Sequence, residues 1–167
     1  MSDIVISLLL IVPIVIVVVT INSTNKRRRK KAQKRINAYI TEATRQTGIT
    51  NYYRKQLVHQ SVIIDESSRK LLIIDHKGEV FSHNVYPLDA LKGSLIMNDK
   101  QSFTPEGKGQ KPEHITTRIG VKVTFEKNGT EQFLTLYDYL EHNIYQMADL
   151  EKEACQLHDK IKKAQFK

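Results

Sequence analysis

The sequence predicts an α+β protein: an N-terminal transmembrane helix with a basic stalk, then a small antiparallel β-domain capped by a long C-terminal helix. Three observations predict it. An uncharged, Ile/Val/Leu-rich stretch from Ile4 to Asn25 ends in Lys26-Arg27-Arg28-Arg29-Lys30-Lys31, with Lys34 and Arg35 close behind. Short apolar runs separated by polar turns follow from Ser61. From Tyr137 to Ala164 there is neither Gly nor Pro, and apolar residues recur every three or four positions.

The N-terminal stretch is read as an anchor, residues 1–25. A helix from Ile4 to Ile21, at about 1.5 Å per residue, just covers a hydrocarbon core of roughly 30 Å. The basic cluster follows it and only Asp3 precedes it, so the positive-inside rule keeps the C-terminal side in the cytoplasm. A cleaved signal peptide wants basic residues before the apolar segment and an Ala-x-Ala-like cleavage site after it; only Asp3 precedes, and Thr20-Ile21-Asn22-Ser23 lacks that pattern. The expectation is a single-pass protein of the cell membrane, N-terminus outside and C-terminal domain cytoplasmic. Residues 26–48 are expected to continue as a basic juxtamembrane helix, with Ile36, Ile40, Ala43 and Thr47 on one narrow stripe and Gly48 as a stop.

Charge is concentrated in that helix. The chain carries 26 Lys+Arg against 18 Asp+Glu, a net of +8, and residues 26 to 35 hold eight basic residues and no acidic ones. The rest of the chain is formally neutral, which gives no reason to expect the basic face of a nucleic-acid-binding domain. Anionic inner-leaflet lipid is the better partner for Lys26, Arg27, Arg28, Arg29, Lys30, Lys31, Lys34 and Arg35, at about 1 kcal/mol per basic residue near the surface. The plainer reading of the same cluster is a topology signal.

Residues 49–60 are read as a linker and 61–150 as one domain. Val62-Ile63-Ile64 and Leu71-Leu72-Ile73-Ile74 are strands around the turn Asp65-Glu66-Ser67-Ser68, and Glu79-Val80-Phe81-Ser82 follows a second turn. Ser94-Leu95-Ile96-Met97 is a further strand. Asn98 to Thr117, with Pro105, Gly107, Gly109 and Pro112, reads as a long polar loop. Ile119, Val121, Val123 and Phe125 alternate with polar or small neighbours, Asn128-Gly129 signals a hairpin, and Gln132 to Leu136 is the returning strand.

The closing helix is expected from about Tyr137. Leu140, Ile144, Met147, Leu150, Ala154, Leu157 and Ile161 form one apolar stripe on a helix of about 28 residues, roughly 42 Å long. A small sheet covers about half of that length. Core packing is the expectation for Leu140 to Leu150, which leaves residues 151–167 as a distal part. There Leu150, Ala154, Leu157 and Ile161 are a candidate assembly face, with solvent-facing amphipathicity as the alternative for the last two.

No set of residues reads as an enzyme site, and no cofactor or metal is expected. The histidines lack His-x-x-x-His spacing, and the single Cys155 excludes an intramolecular disulfide. Asp138 and His142 at i, i+4 read as a surface pair with no third ligand. Gly107-Lys108-Gly109 lacks the context of a phosphate loop.

The strand, acidic turn and strand at Ile63-Ile64-Asp65-Glu66 and Lys70-Leu71-Leu72-Ile73-Ile74, the element Tyr86-Pro87-Leu88-Asp89-Ala90-Leu91, and Leu95-Ile96-Met97-Asn98-Asp99 together resemble bacterial membrane-anchored pleckstrin-homology-like domain proteins of unknown function. The resemblance spans about residues 61 to 150. It implies a PH-like barrel or sandwich of two roughly orthogonal sheets with a helix across one corner, and it carries over no functional residue. The resulting expectation is a non-catalytic adaptor or scaffold holding a protein partner at the membrane, or self-associating through its C-terminal helix. An anionic-lipid sensor is the alternative.

Overall fold

The structure, a computed structural model, describes residues 2–78, 80–103, 113–126 and 129–166; within these, the side chains of residues 2–15, 18, 103 and 113 are outside the description. The chain divides into two compact units, Met1–Glu42 and Ala43–Lys167.

The first helix, α1, runs from Ser2 to Thr47 without a break. The expected transmembrane span is corrected: among the described residues no helix is long and apolar enough to cross a membrane. Among the described side chains in the N-terminal half of α1, Ile16, Val17, Val19 and Ile21 are exposed apolar ones. Beyond them the helix is polar and then basic. The helix ends where Gly48 adopts φ +68°, and the Ile49 N–H returns to Thr44 O at 3.0 Å. Such a left-handed glycine is a common way to terminate a helix.

Seven strands make up the second unit. β1 (Tyr53–Gln56), β2 (Gln60–Asp65), β3 (Lys70–Asp75) and β4 (Ser82–Pro87) form an antiparallel sheet in sequence order. β5 (Leu91–Phe103), β6 (Glu113–Phe125) and β7 (Glu131–Asp138) form a second one. Residues 53–56 belong to a strand rather than a linker. Their sequence, Tyr-Arg-Lys-Gln, has no apolar alternation, because β1 is an edge strand whose stability comes from pairing Tyr53 with Ile64 through Gln56 with Ser61. The expected loop at Asn98 to Thr117 is largely a paired ribbon, with Lys100 opposite Thr116 and Phe103 opposite Glu113. Residues 104–112, including Gly107-Lys108-Gly109, lie outside the described residues, as do Lys127 and Asn128 of the predicted hairpin turn. The pairing of β6 with β7 on either side of that turn is described.

The two sheets do not close into a barrel, which corrects the expected PH-like barrel. β4 ends at Pro87, whose nitrogen has no hydrogen to donate to a continuing ladder. The 3-10 turn Leu88–Ala90 then redirects the chain so that β5 pairs with β6 and not with β4. At the other edge the Val58 N–H reaches Thr135 O at 3.5 Å, which does not make a ladder. Packing joins the sheets instead: the Tyr86 ring of β4 stacks on Phe125 of β6 with centroids 4.1 Å apart.

The core lies between the sheets and the second helix, α2 (Met147–Gln165). Val62, Ile64, Leu71 and Ile73 enter it from the first sheet, and Ile119, Val121, Val123, Phe125, Leu134 and Leu136 from the second. Ile63, Leu72 and Ile74 are buried too, so β2 and β3 are covered on both faces. That double burial is why these strands read as continuous apolar runs rather than alternating ones.

Gly120 is required by the close approach of β7. A Cβ there would stand 2.4 Å from Leu134 O and 2.9 Å from the Phe133 ring. We expect Gly120→Ala to cost about 1–3 kcal/mol through overpacking. Thermal unfolding followed by circular dichroism checks this, and an unchanged midpoint refutes it.

Candidate functional site

The residues singled out by sequence fall in three different environments. Lys26 to Arg35 lie on α1 in the first unit, and all eight basic side chains are exposed. Ala154, Leu157 and Ile161 sit in the core with no exposed surface, and Leu150 packs against them. The face read as open to assembly is therefore covered by β5, β6 and β7, and residues 151–165 are the body of the core helix rather than a projecting end. Asp138 and His142 do not share a helix face. Asp138 ends β7, and its backbone N–H donates to His142 Nδ1 at 3.2 Å.

Other titratable side chains have structural contacts. His158 on α2 is directed at Ser94 O of β5, with Nε2 at 3.1 Å, and since a carbonyl only accepts, that nitrogen carries the hydrogen. His114 Nδ1 lies 3.1 Å from Ser102 Oγ across the β5–β6 ribbon. Cys155 is free and exposed. Among the described residues no three His, Cys, Asp or Glu side chains are placed to hold a metal ion.

What the sequence reading missed lies between β7 and α2. Tyr139, Leu140, Ile144 and Tyr145, expected in part as core, are 52%, 87%, 59% and 86% exposed. Hydrogen bonds give this knuckle a defined shape. Asp138 Oδ1 accepts from the Leu140 N–H at 2.9 Å, and Asp138 O accepts from the N–H groups of Glu141 at 3.1 Å and His142 at 2.9 Å. The Tyr139 N–H donates to Thr117 O at 3.0 Å, fastening the knuckle to β6. The His142 ring stacks on the buried Tyr137 ring at 5.8 Å.

The helix starts late because Asn143 and Gln146 cap it. Asn143 Oδ1 accepts from the Tyr145 N–H at 3.2 Å, and Gln146 Oε1 accepts from the Asn143 N–H at 3.1 Å. This reciprocal capping box precedes the 3-10 turn Ile144–Gln146 and then α2. An Asn followed three residues later by Gln is a legible helix-start signal. Given weight over the apolar spacing, it locates the start after Asn143 and leaves Leu140 outside the helix.

Two open grooves flank the knuckle. One, of about 780 Å³, runs between Asp99, Lys100 and Arg118 on one side and Tyr139 and Leu140 on the other. The second, of about 430 Å³, lies between Leu140 and the β2 and β3 residues Gln60 and Asp75, with Glu141 on its wall. Leu140 lines both, so it is a ridge between two depressions. Arg118 is held by Asp99 at 2.9 Å and lies 5.4 Å over the Phe133 ring. The arrangement has an apolar crest, two wet flanks and a fixed backbone, which suits binding a surface rather than enclosing a small molecule.

The chain matches no protein-family model, no curated protein and no solved structure, so the pleckstrin-homology-like resemblance stands on its strand-and-turn patterns alone.

Proposed function

We propose that the chain is a non-catalytic adaptor that holds a protein partner on the knuckle Tyr139–Tyr145. The observation that carries this reading is the exposure of two tyrosines, a leucine and an isoleucine within seven consecutive positions on a hydrogen-bonded turn. Scattered exposed apolar residues need no explanation, whereas a cluster of them marks an interaction site. Tyrosines are enriched among residues that dominate binding energy, and a preformed backbone lowers the ordering cost of association.

A photo-crosslinking phenylalanine analogue at position 145 tests it. We expect a discrete adduct of fixed mass in cells, and none from the same analogue at the exposed Gln156 of α2. Equal labelling from both positions, or no adduct from position 145, defeats the reading.

A second reading, attachment to an anionic lipid surface through Lys26 to Arg35, is favoured by the exposure of all eight basic side chains on one continuous helix. It concerns the helix, not the knuckle, so both can hold together. Replacing Arg27, Arg28 and Arg29 with Gln is expected to weaken binding to phosphatidylserine vesicles by about 3 kcal/mol, roughly a hundredfold. Binding unaffected by the substitution, or equal on neutral vesicles, removes this reading.

A further inference from the structure

The knuckle differs in charge from the chain that carries it. Between Tyr137 and Glu151 the acidic residues are Asp138, Glu141, Asp149 and Glu151, and there is no Lys or Arg, in a protein of net charge +8. Glu141 is exposed within the knuckle, and Asp149 and Glu151 are exposed at the start of α2, four and six positions after Tyr145 and just before the exposed Lys152. Among the described contacts, none of the four acids is paired with a lysine or arginine; Glu141 has only His59, at 3.9 Å. The most central basic group of the flanking grooves, Arg118, is already bound to Asp99. Lys100 lines the larger groove and Lys77 the smaller.

An apolar crest with one exposed carboxylate in it, Glu141, and two more at the start of the following helix selects its partner by charge. It repels an anionic bilayer, since juxtamembrane attraction to such lipid requires basic residues at the surface. It repels acidic proteins for the same reason and steers basic ones toward it. Leu140 stands between two grooves of different size, which fits an element laid across the ridge with side chains descending on either side. An amphipathic helix with apolar residues at three- and four-residue spacing meets that description.

Resting on the adaptor reading, we infer that the partner presents a basic amphipathic helix: an apolar stripe that seats on Leu140 and Tyr145, bordered by Lys or Arg that pair with Glu141, Asp149 and Glu151. The apolar crest supplies affinity. The carboxylates supply choice of partner and rate of encounter.

Two synthetic, fluorescently labelled amphipathic helices with the same leucine stripe test it, one with lysines on its polar face and one with glutamates. Each is titrated by anisotropy against the full chain, against Leu140→Ser/Tyr145→Ser, and against Glu141→Lys/Asp149→Lys. The knuckle's contribution is the affinity difference between the full chain and the serine variant, which removes the attraction of the glutamate peptide to Lys26 to Arg35. These four side chains are exposed, so the variants keep the core intact.

The expected result is a knuckle-dependent loss of about tenfold or more for the lysine peptide and none for the glutamate peptide. The preference reverses in the lysine variant and weakens with salt. Equal knuckle-dependent binding of both peptides overturns the inference about charge and leaves the adaptor reading standing. No difference between the full chain and the serine variant for either peptide overturns the inference, while the crosslink at position 145 judges the adaptor reading separately. Binding to phosphatidylserine vesicles that is lost in the serine variant also overturns the inference, by making the knuckle a lipid contact.

Discussion

Leu157→Ala is expected to lower the stability of the folded domain by about 3 kcal/mol, within the 2–5 kcal/mol range of leucine truncations in close-packed cores. Leu157 is fully buried, on the face of α2 that also carries Ala154, Ile161 and Ala164 into the main core. Its removal leaves a cavity bounded by strands on one side and the helix on the other, neither of which can close it by a side-chain rotation alone. Urea unfolding followed by circular dichroism reads the loss as a lower midpoint at unchanged slope. Gln156→Ala, one position along and exposed, is the control and should shift the midpoint by less than about 0.5 kcal/mol. The opposing account makes Leu157 part of an assembly face. It requires that Leu157→Ala leave the midpoint alone while lowering the sedimentation coefficient, and that outcome would refute the burial described here.

The same substitution shows where a sequence stops being readable. The spacing Leu150, Ala154, Leu157, Ile161 states that one helix face is apolar and is silent on what covers it. A sheet, a second helix or a second copy all ask for the same pattern. Here two strands of the second sheet were longer than their apolar content suggested. Lys100, Gln101 and Ser102 of β5 pair with Thr116, Ile115 and His114 of β6, positions polar but for Ile115 on a ribbon whose order comes from its backbone ladder. Strands of that kind carry no period-2 signal.

The legible parts are those where burial is lopsided or complete. β2 and β3 announce themselves as Val62-Ile63-Ile64 and Leu71-Leu72-Ile73-Ile74, and the buried residues Ile119, Val121, Val123 and Phe125 of β6 alternate as expected. The knuckle was hidden because Leu140 and Ile144 fall in phase with the helix that follows, although Asp138 and Asn143 end one element and begin another between them. Turn chemistry overrode periodicity there. At the N-terminus the helix runs unbroken from Ser2 to Thr47, and among the described residues no helix is long and apolar enough to cross a membrane.

The acid dependence of stability is expected to trace to Asp65, and Asp65→Asn to remove it. This carboxylate has no exposed surface and closes the turn between β2 and β3. One oxygen accepts from the Ser67 N–H at 2.9 Å, the Ser68 N–H at 3.2 Å and the Ser67 hydroxyl. The other accepts from the Ser68 hydroxyl at 2.8 Å and the Thr50 N–H at 3.3 Å, tying the turn to the segment after α1. Burial by itself would raise the carboxyl's pKa. The hydrogen bonds from Ser67 and Ser68 outweigh it and bring the value down to about 2.

A carboxyl held below its unfolded value stabilises the native state fully above about pH 4 and loses that contribution as pH falls toward about 2. The amount is on the order of 2 kcal/mol. Asp65→Asn retains one acceptor and turns an amide NH2 toward donors, so it should destabilise by about 1–3 kcal/mol at neutral pH. Asp65→Ala leaves two or more buried donors unmatched and should cost at least about 3 kcal/mol. In urea titrations from pH 6 down to pH 2.5, the gap between the native chain and Asp65→Asn should stay constant above pH 4 and narrow below it. A gap that keeps its full size at pH 2.5 would mean that another carboxylate governs acid unfolding and that the serine cage holds shape rather than charge.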